Sequence, residues 1–107
     1  MARLDAPSKT PKHRPVPVVV EGTLERLAIR ARMARRLRGM TQEELGHLAD
    51  VSTSTVRALE AGADGVSLGN FLKVLQALGL LSQVEVLLDA RNDPETLAYA
   101  ERKLKKA

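Results

Sequence analysis

The chain contains no cysteine, only two aromatic residues (Phe71 and Tyr99), and no apolar run near the ~20 residues that a membrane-crossing helix requires. Without thiols there are no disulfides, thiolate metal sites or cysteine nucleophiles, and a reducing compartment is tolerated. With so few rings the core must be aliphatic, built from Leu, Val and Ala. Base stacking on single-stranded nucleic acid and anchoring at a membrane interface both lack their usual residues. The only histidines, His13 and His47, lie in different segments, so no metal-ligand spacing exists and both read as surface residues. No glycine-rich phosphate loop and no nucleophile beside a base are found, so neither an enzyme nor a cofactor is expected. Charged residues stand where a signal peptide would need apolar ones, and the expected location is the cytoplasm, away from any membrane.

What is present is basic charge, unevenly placed. The formal net charge is +4, and residues 1–20 supply +3 of it through Arg3, Lys9, Lys12 and Arg14 against Asp5. Six further arginines (Arg26, Arg30, Arg32, Arg35, Arg36 and Arg38) fall within one thirteen-residue stretch. A polyanion suits such a surface, although a charge run alone equally fits a solvated helix face. The 107 residues allow one compact domain and leave no room for a catalytic domain beside it.

Pro7, Pro11, Pro15 and Pro17 make residues 1–20 a flexible, basic, proline-rich tail, in which Val16–Val20 suits a short edge strand. Thr23 is the expected N-cap of a first helix, whose apolar positions Leu24, Leu27, Ala28, Ala31, Ala34 and Leu37 run to a stop at Gly39. Thr41 with Glu44 forms a capping box opening a second, short helix to about Ala49. Ser52 caps a third helix, carrying Val56 and Leu59 and ending at Gly62. Ser67 caps a fourth, with Leu68, Phe71, Leu72, Leu75 and Leu78 as its apolar stripe. Residues 84–88 (Val-Glu-Val-Leu-Leu) read as a short β-strand, and Asp93-Pro94 announces a last helix to about Lys105. The expected fold is all-α: four to five helices in residues 21–80, then a short C-terminal β-strand and a terminal helix in residues 81–107.

Residues 41–62 meet the demands of a helix-turn-helix. Leu45 and Leu48 are expected to point inward, Gly46 or Ala49 supplies the small residue where the next helix packs closely, and Asp50 tolerates the left-handed φ of the turn. Val51 returns to the core, and Val56 and Leu59 anchor the third helix from behind. Thr53, Ser54 and Arg57 are left facing outward. Arg57 can fork onto O6 and N7 of guanine, the two hydroxyls can reach bases or phosphates, and Gln42 can meet a base or brace a recognition residue.

The runs Thr41-Gln42-Glu43-Glu44-Leu45, Val51-Ser52-Thr53-Ser54-Thr55-Val56 and Leu59-Glu60-Ala61-Gly62 resemble the phage Cro/repressor (Xre) helix-turn-helix family, over about Leu24 to Leu80. The resemblance implies a lambda-repressor-like domain in which Glu60 braces the interior. It also implies phosphate contacts from Arg35, Arg38, Thr41, Ser52, Thr55, Ser67 and Asn70. Two residues depart from the family: Asp50 stands where glycine is usual and Gly46 where alanine is, the latter weakening its helix by ~1 kcal/mol. The strand after the fourth helix is similar to that of HipB-like antitoxins. That likeness implies dimerisation through Val84, Val86 and Leu88, paired with a second copy, and a toxin partner such as a HipA-like kinase.

The expected function is a sequence-specific DNA-binding transcriptional regulator: a homodimeric repressor of its own operon on an inverted repeat of double-stranded DNA, and the antitoxin of a toxin-antitoxin pair. The alternative is a helix-turn-helix scaffold that binds partner proteins without DNA.

Overall fold

The computed structural model describes residues 14–106, and these hold five α-helices and two short 3-10 turns, with no strand among them. The residues before Arg14, including His13 and most of the proline-rich tail, lie outside the described residues.

Helix α1 (Val18–Leu37) opens directly after Pro17, five residues before Thr23. Pro17 (φ −60°, ψ 153°) places its carbonyl to accept from the Glu21 amide at 3.0 Å, and Glu21 in the first turn suits the positive end of the helix dipole. The expectation of an edge strand at Val16–Val20 is therefore corrected: Val18–Val20 are helical. β-Branched residues favour a strand only where a neighbouring strand packs on them, and here there is none. Thr23 sits inside the helix, its hydroxyl donating to the Val19 carbonyl at 3.3 Å rather than capping.

Helices α2 (Gln42–Ala49), α3 (Thr53–Glu60) and α4 (Leu68–Ala77) follow with the caps the sequence announces. Both halves of the capping box form, Glu44 N donating to Thr41 Oγ1 at 3.0 Å and Thr41 N to Glu44 Oε1 at 2.8 Å. Ser52 and Ser67 accept from Thr55 N and Asn70 N at 3.0 and 3.1 Å.

The core is aliphatic. Ala28 and Ala31 of α1, Leu45 and Ala49 of α2, Val56 and Leu59 of α3, and Val74 and Leu78 at the end of α4 are buried, with Phe71, Met40, Val51 and Leu80 packed around them. Two alanines on the buried stripe of α1 let that helix lie close to α3. Leu48, expected inside, is 60% exposed. It lies about 100° around the helix from Ala49, and α2 buries only the sector through Leu45, Gly46 and Ala49. Leu37 and Leu68 are likewise exposed.

After α4 the chain turns through a six-residue 3-10 segment (Leu81–Val86), where a strand over 84–88 is expected from sequence. Its amides are satisfied locally, Gln83 N by the Leu80 carbonyl at 3.1 Å and Leu87 N by the Val84 carbonyl at 3.0 Å. A backbone that closes its own hydrogen bonds has no need of a partner strand, so Val84, Val86 and Leu88 do not form a pairing edge. Val84 is half-buried, Val86 and Leu88 are exposed, and Leu88 takes a left-handed φ of 64°. A second turn (Ala90–Asn92) leads to α5 (Pro94–Lys106), capped by Asp93, which accepts from Glu95 N at 3.2 Å and Thr96 Oγ1 at 2.6 Å. Helix α5 packs on the turn before it and leaves Leu97, Tyr99 and Leu104 exposed.

Candidate nucleic-acid interface

The joint between α2 and α3 sets the presentation of α3. Asp50 ends α2 in the left-handed region (φ 58°, ψ 47°), and the Val51 amide returns to the Gly46 carbonyl at 2.9 Å. Lys73 of α4 donates to the Asp50 carbonyl at 2.6 Å and stands 3.8 Å from its carboxylate, placing a cation at the negative end of α2. Gly46 is the residue of close approach. A Cβ built on it would lie 2.9 Å from the Val51 carbonyl oxygen and 3.4 Å from Thr53 N, so the absence of a side chain is what lets α3 start where it does.

A buried ion pair locks the other end of α3. Arg35 donates through Nε and Nη2 to the two oxygens of Glu60, at 2.7 and 2.9 Å, and through Nη1 to the Met40 carbonyl at 2.7 Å. Gln42 Nε2 donates to the same carboxylate at 3.1 Å, and Arg32 Nη2 to the Glu60 carbonyl at 3.0 Å. Burial pushes the Glu60 carboxyl up, but hydrogen bonds from Arg35 and Gln42, with the charges of Arg35 and Arg32, outweigh it and hold the group below its usual range. The hydrogen bond to Glu60 likewise raises Arg35, against the effect of burial. Helices α1, α2 and α3 thus meet at one carboxylate, and Glu60 braces the interior as the resemblance implies.

Each expected contact residue can now be placed. On α3, Ser54 and Arg57 are exposed and Thr53 and Thr55 half-buried. Among the described residues the Arg57 guanidinium has no hydrogen-bond or ion-pair partner. Gln42 is half-buried with its amide committed to Glu60, so it braces the framework in this conformation. Arg35 is corrected outright: it is 7% exposed with all three of its guanidinium nitrogens engaged, and holds α3 rather than a phosphate. Arg38 is exposed, with Nη1 on the Ala34 carbonyl at 2.8 Å. The hydroxyls of Thr41, Ser52 and Ser67 accept backbone amides at helix starts, Ser52 and Thr55 share a 2.9 Å hydrogen bond, and Asn70 is half-buried in the first turn of α4.

Open hollows flank α3. On the α1–α2 side, Arg32, Arg36, Thr41, Gln42 and Arg57 line a polar concavity of about 540 Å³ over the Arg35–Glu60 pair. On the other side Ser54, Thr55, Ala58, Gly65, Ser67 and Asn70 line a second of about 430 Å³. Arg32 and Arg36 are not among the contact residues expected from sequence. The signal was available, because Ala28, Ala31 and Arg35 share one helical stripe, which places Arg35 on the core side and Arg36 on the solvent side. Among the described residues no group of three or more His, Cys, Asp or Glu side chains could hold a metal ion, and no helix is long and apolar enough to cross a membrane.

No curated protein and no solved structure matches the chain. Residues 32–82, which run from the last turns of α1 to the start of the first 3-10 turn, match the family model described as Helix-turn-helix. That match falls on the segment that carries the caps, the left-handed turn and the outward face of α3, and it supports the likeness of this segment to the helix-turn-helix of Cro/repressor (Xre) proteins.

Proposed function

We propose that the protein is a sequence-specific transcriptional regulator that places α3 in the major groove of double-stranded DNA, two copies together binding an inverted repeat and repressing their own operon. The observation that carries this reading is the division of α3 into two faces. Val56, Leu59 and Glu60 are locked into the core, while Ser54 and Arg57 stand in solvent with the Arg57 guanidinium unpartnered among the described residues. A helix that reads base edges needs an outward face free of bulky apolar groups and a donor that can fork onto guanine. Thr53, Ser54 and Arg57 are the base-reading residues, and Arg38, Ser67 and Asn70 meet phosphates on either side. The protein acts by binding, without catalysis or cofactor, in the cytoplasm.

Pairing of two copies draws support from the exposed apolar residues Val86, Leu87 and Leu88, through side-chain packing rather than a shared sheet. An antitoxin role has lost the strand that motivated it. What remains in its favour is the free apolar side of α5, to which a toxin would dock.

Selection of bound duplexes from a random pool tests the proposal, giving motif, symmetry and half-site spacing together. Arg57→Ala is expected to relax preference at one position per half-site, weakening binding by about 1–3 kcal/mol. Intact affinity and preference in that variant would remove α3 as the reader. Failure of the wild-type protein to bind any duplex at low salt would leave the protein-binding scaffold as the reading.

A further inference from the structure

The hollow between α1, α2 and α3 has an imbalance that the recognition residues do not explain. Arg32, Arg36 and Arg57 converge on it from two helices. Its only carboxylate, Glu60, is buried beneath and already bonded by Arg35 and Gln42. Arg32 is partly occupied, one nitrogen resting on the Glu60 carbonyl. Arg36 is exposed and, among the described residues, its guanidinium makes no hydrogen bond or ion pair. The start of α2 at Thr41 and Gln42 lies on the same rim, adding the positive end of a helix dipole. The opposing charges beside it are Glu43, which lines an adjoining hollow with Thr53 and Arg57, and Glu25, which lines another with Arg32 and Glu60; both are exposed to solvent. Like charges gathered around one concavity repel unless an anion enters it.

We infer that Arg36 is a phosphate-binding residue, holding a backbone phosphate of the DNA strand that passes the α1–α2 side of α3. This rests on the DNA-reading proposal above, because a helix lying in the major groove has a sugar-phosphate strand on each side of it. The strand on the side of Ser67 and Asn70 meets the N-terminus of α4, and the opposite strand meets this hollow. Arg57 projects from the wall that faces the bases. Arg36, one helix further back, reaches the phosphates beside them and reads no sequence. Arg35 and Arg36, adjacent in the chain, thus divide the work, one building the wall of the hollow and the other holding what enters it.

The test is the salt dependence of binding to a duplex selected from the random pool, measured from 50 to 200 mM KCl for the wild type, Arg36→Ala and Arg36→Lys. Losing one phosphate contact makes the slope of log K against log[salt] shallower by about 0.9, so the affinity lost across that range shrinks by about 3.5-fold. Arg36→Ala is expected to show this change with base preference and melting temperature unaltered, and Arg36→Lys is expected to keep the wild-type slope. An unchanged slope in Arg36→Ala, with the wild type binding normally, overturns the assignment while leaving the DNA-reading proposal standing. A changed base preference overturns it by making Arg36 a reader. Absence of binding by the wild type at every salt concentration overturns both.

Discussion

Replacing Glu60 by glutamine is expected to be the most damaging conservative change in the molecule. Glu60 is 3% and Arg35 7% exposed, and the two share a two-pronged contact at 2.7 and 2.9 Å. The amide keeps the size of the side chain but removes the countercharge and turns one of the two acceptor oxygens into a donor, leaving an interior guanidinium with only neutral acceptors, the Met40 carbonyl and the one amide oxygen. Breaking a buried pair from one side costs about 3–5 kcal/mol, against the roughly 5–15 kcal/mol that holds a typical domain together. At roughly 4–8 °C per kcal/mol for a domain of this size, the melting temperature should fall by at least ~12 °C. Urea denaturation followed by circular dichroism reads the free energy directly. The paired change Arg35→Met with Glu60→Leu, which removes both charges together, should recover most of the loss. Acid supplies an independent check. Because the folded state holds the Glu60 carboxyl below its ordinary range, its contribution is present in full above the usual glutamate value of about 4.3 and is lost as pH falls through the lower folded value. Glu60→Gln should lack that part of the acid response. A cost under about 1 kcal/mol for the glutamine variant, or a double variant no more stable than the single one, would refute the view that this pair anchors α3.

Two further substitutions probe the joint. Gly46→Ala gains about 1 kcal/mol of helix propensity but sets a methyl 2.9 Å from a backbone oxygen that only a shift of the whole turn can relieve. With overpacking at about 1–3 kcal/mol, net destabilisation of up to about 2 kcal/mol is expected in urea; a stabilised variant would show that the turn is looser than described. Asp50→Gly should raise stability by about 0.5 kcal/mol by relieving a left-handed L residue. The exposed 3.8 Å pair with Lys73 that it removes is worth little, and the Lys73 bond to the Asp50 carbonyl survives; a lower urea midpoint would assign real weight to that pair.

What was legible in the sequence was what is local. The caps at Thr41, Ser52, Ser67 and Asp93 each join a side chain to an amide two or three residues on, and they form as read. Asp50 takes its left-handed turn for the same reason. The two valine-containing runs, at 16–20 and 84–88, misled because strand preference reports what lies beside a segment. Beside Val18–Val20 there is the helix-starting Pro17, and around Val84 a self-satisfied 3-10 turn. Leu48 was misplaced because an eight-residue helix buries too narrow a sector for every leucine on it. Arg35 and Arg36 differ in nothing but phase around α1, and composition is blind to phase. Gly46 looked like a weak point within its helix, and only the proximity of the Val51 carbonyl reveals why a larger residue does not fit.

Helix α5 rests on the Ala90–Asn92 turn and on little else among the described residues. An arm attached in this way has no lever on α3, since a partner seated on Leu97, Tyr99 or Leu104 would repack nothing in the reading domain. Its influence on DNA affinity would therefore come from valency, by raising the local concentration of a second reading domain beside the first, and would scale with the reach of the connection rather than with any change of shape.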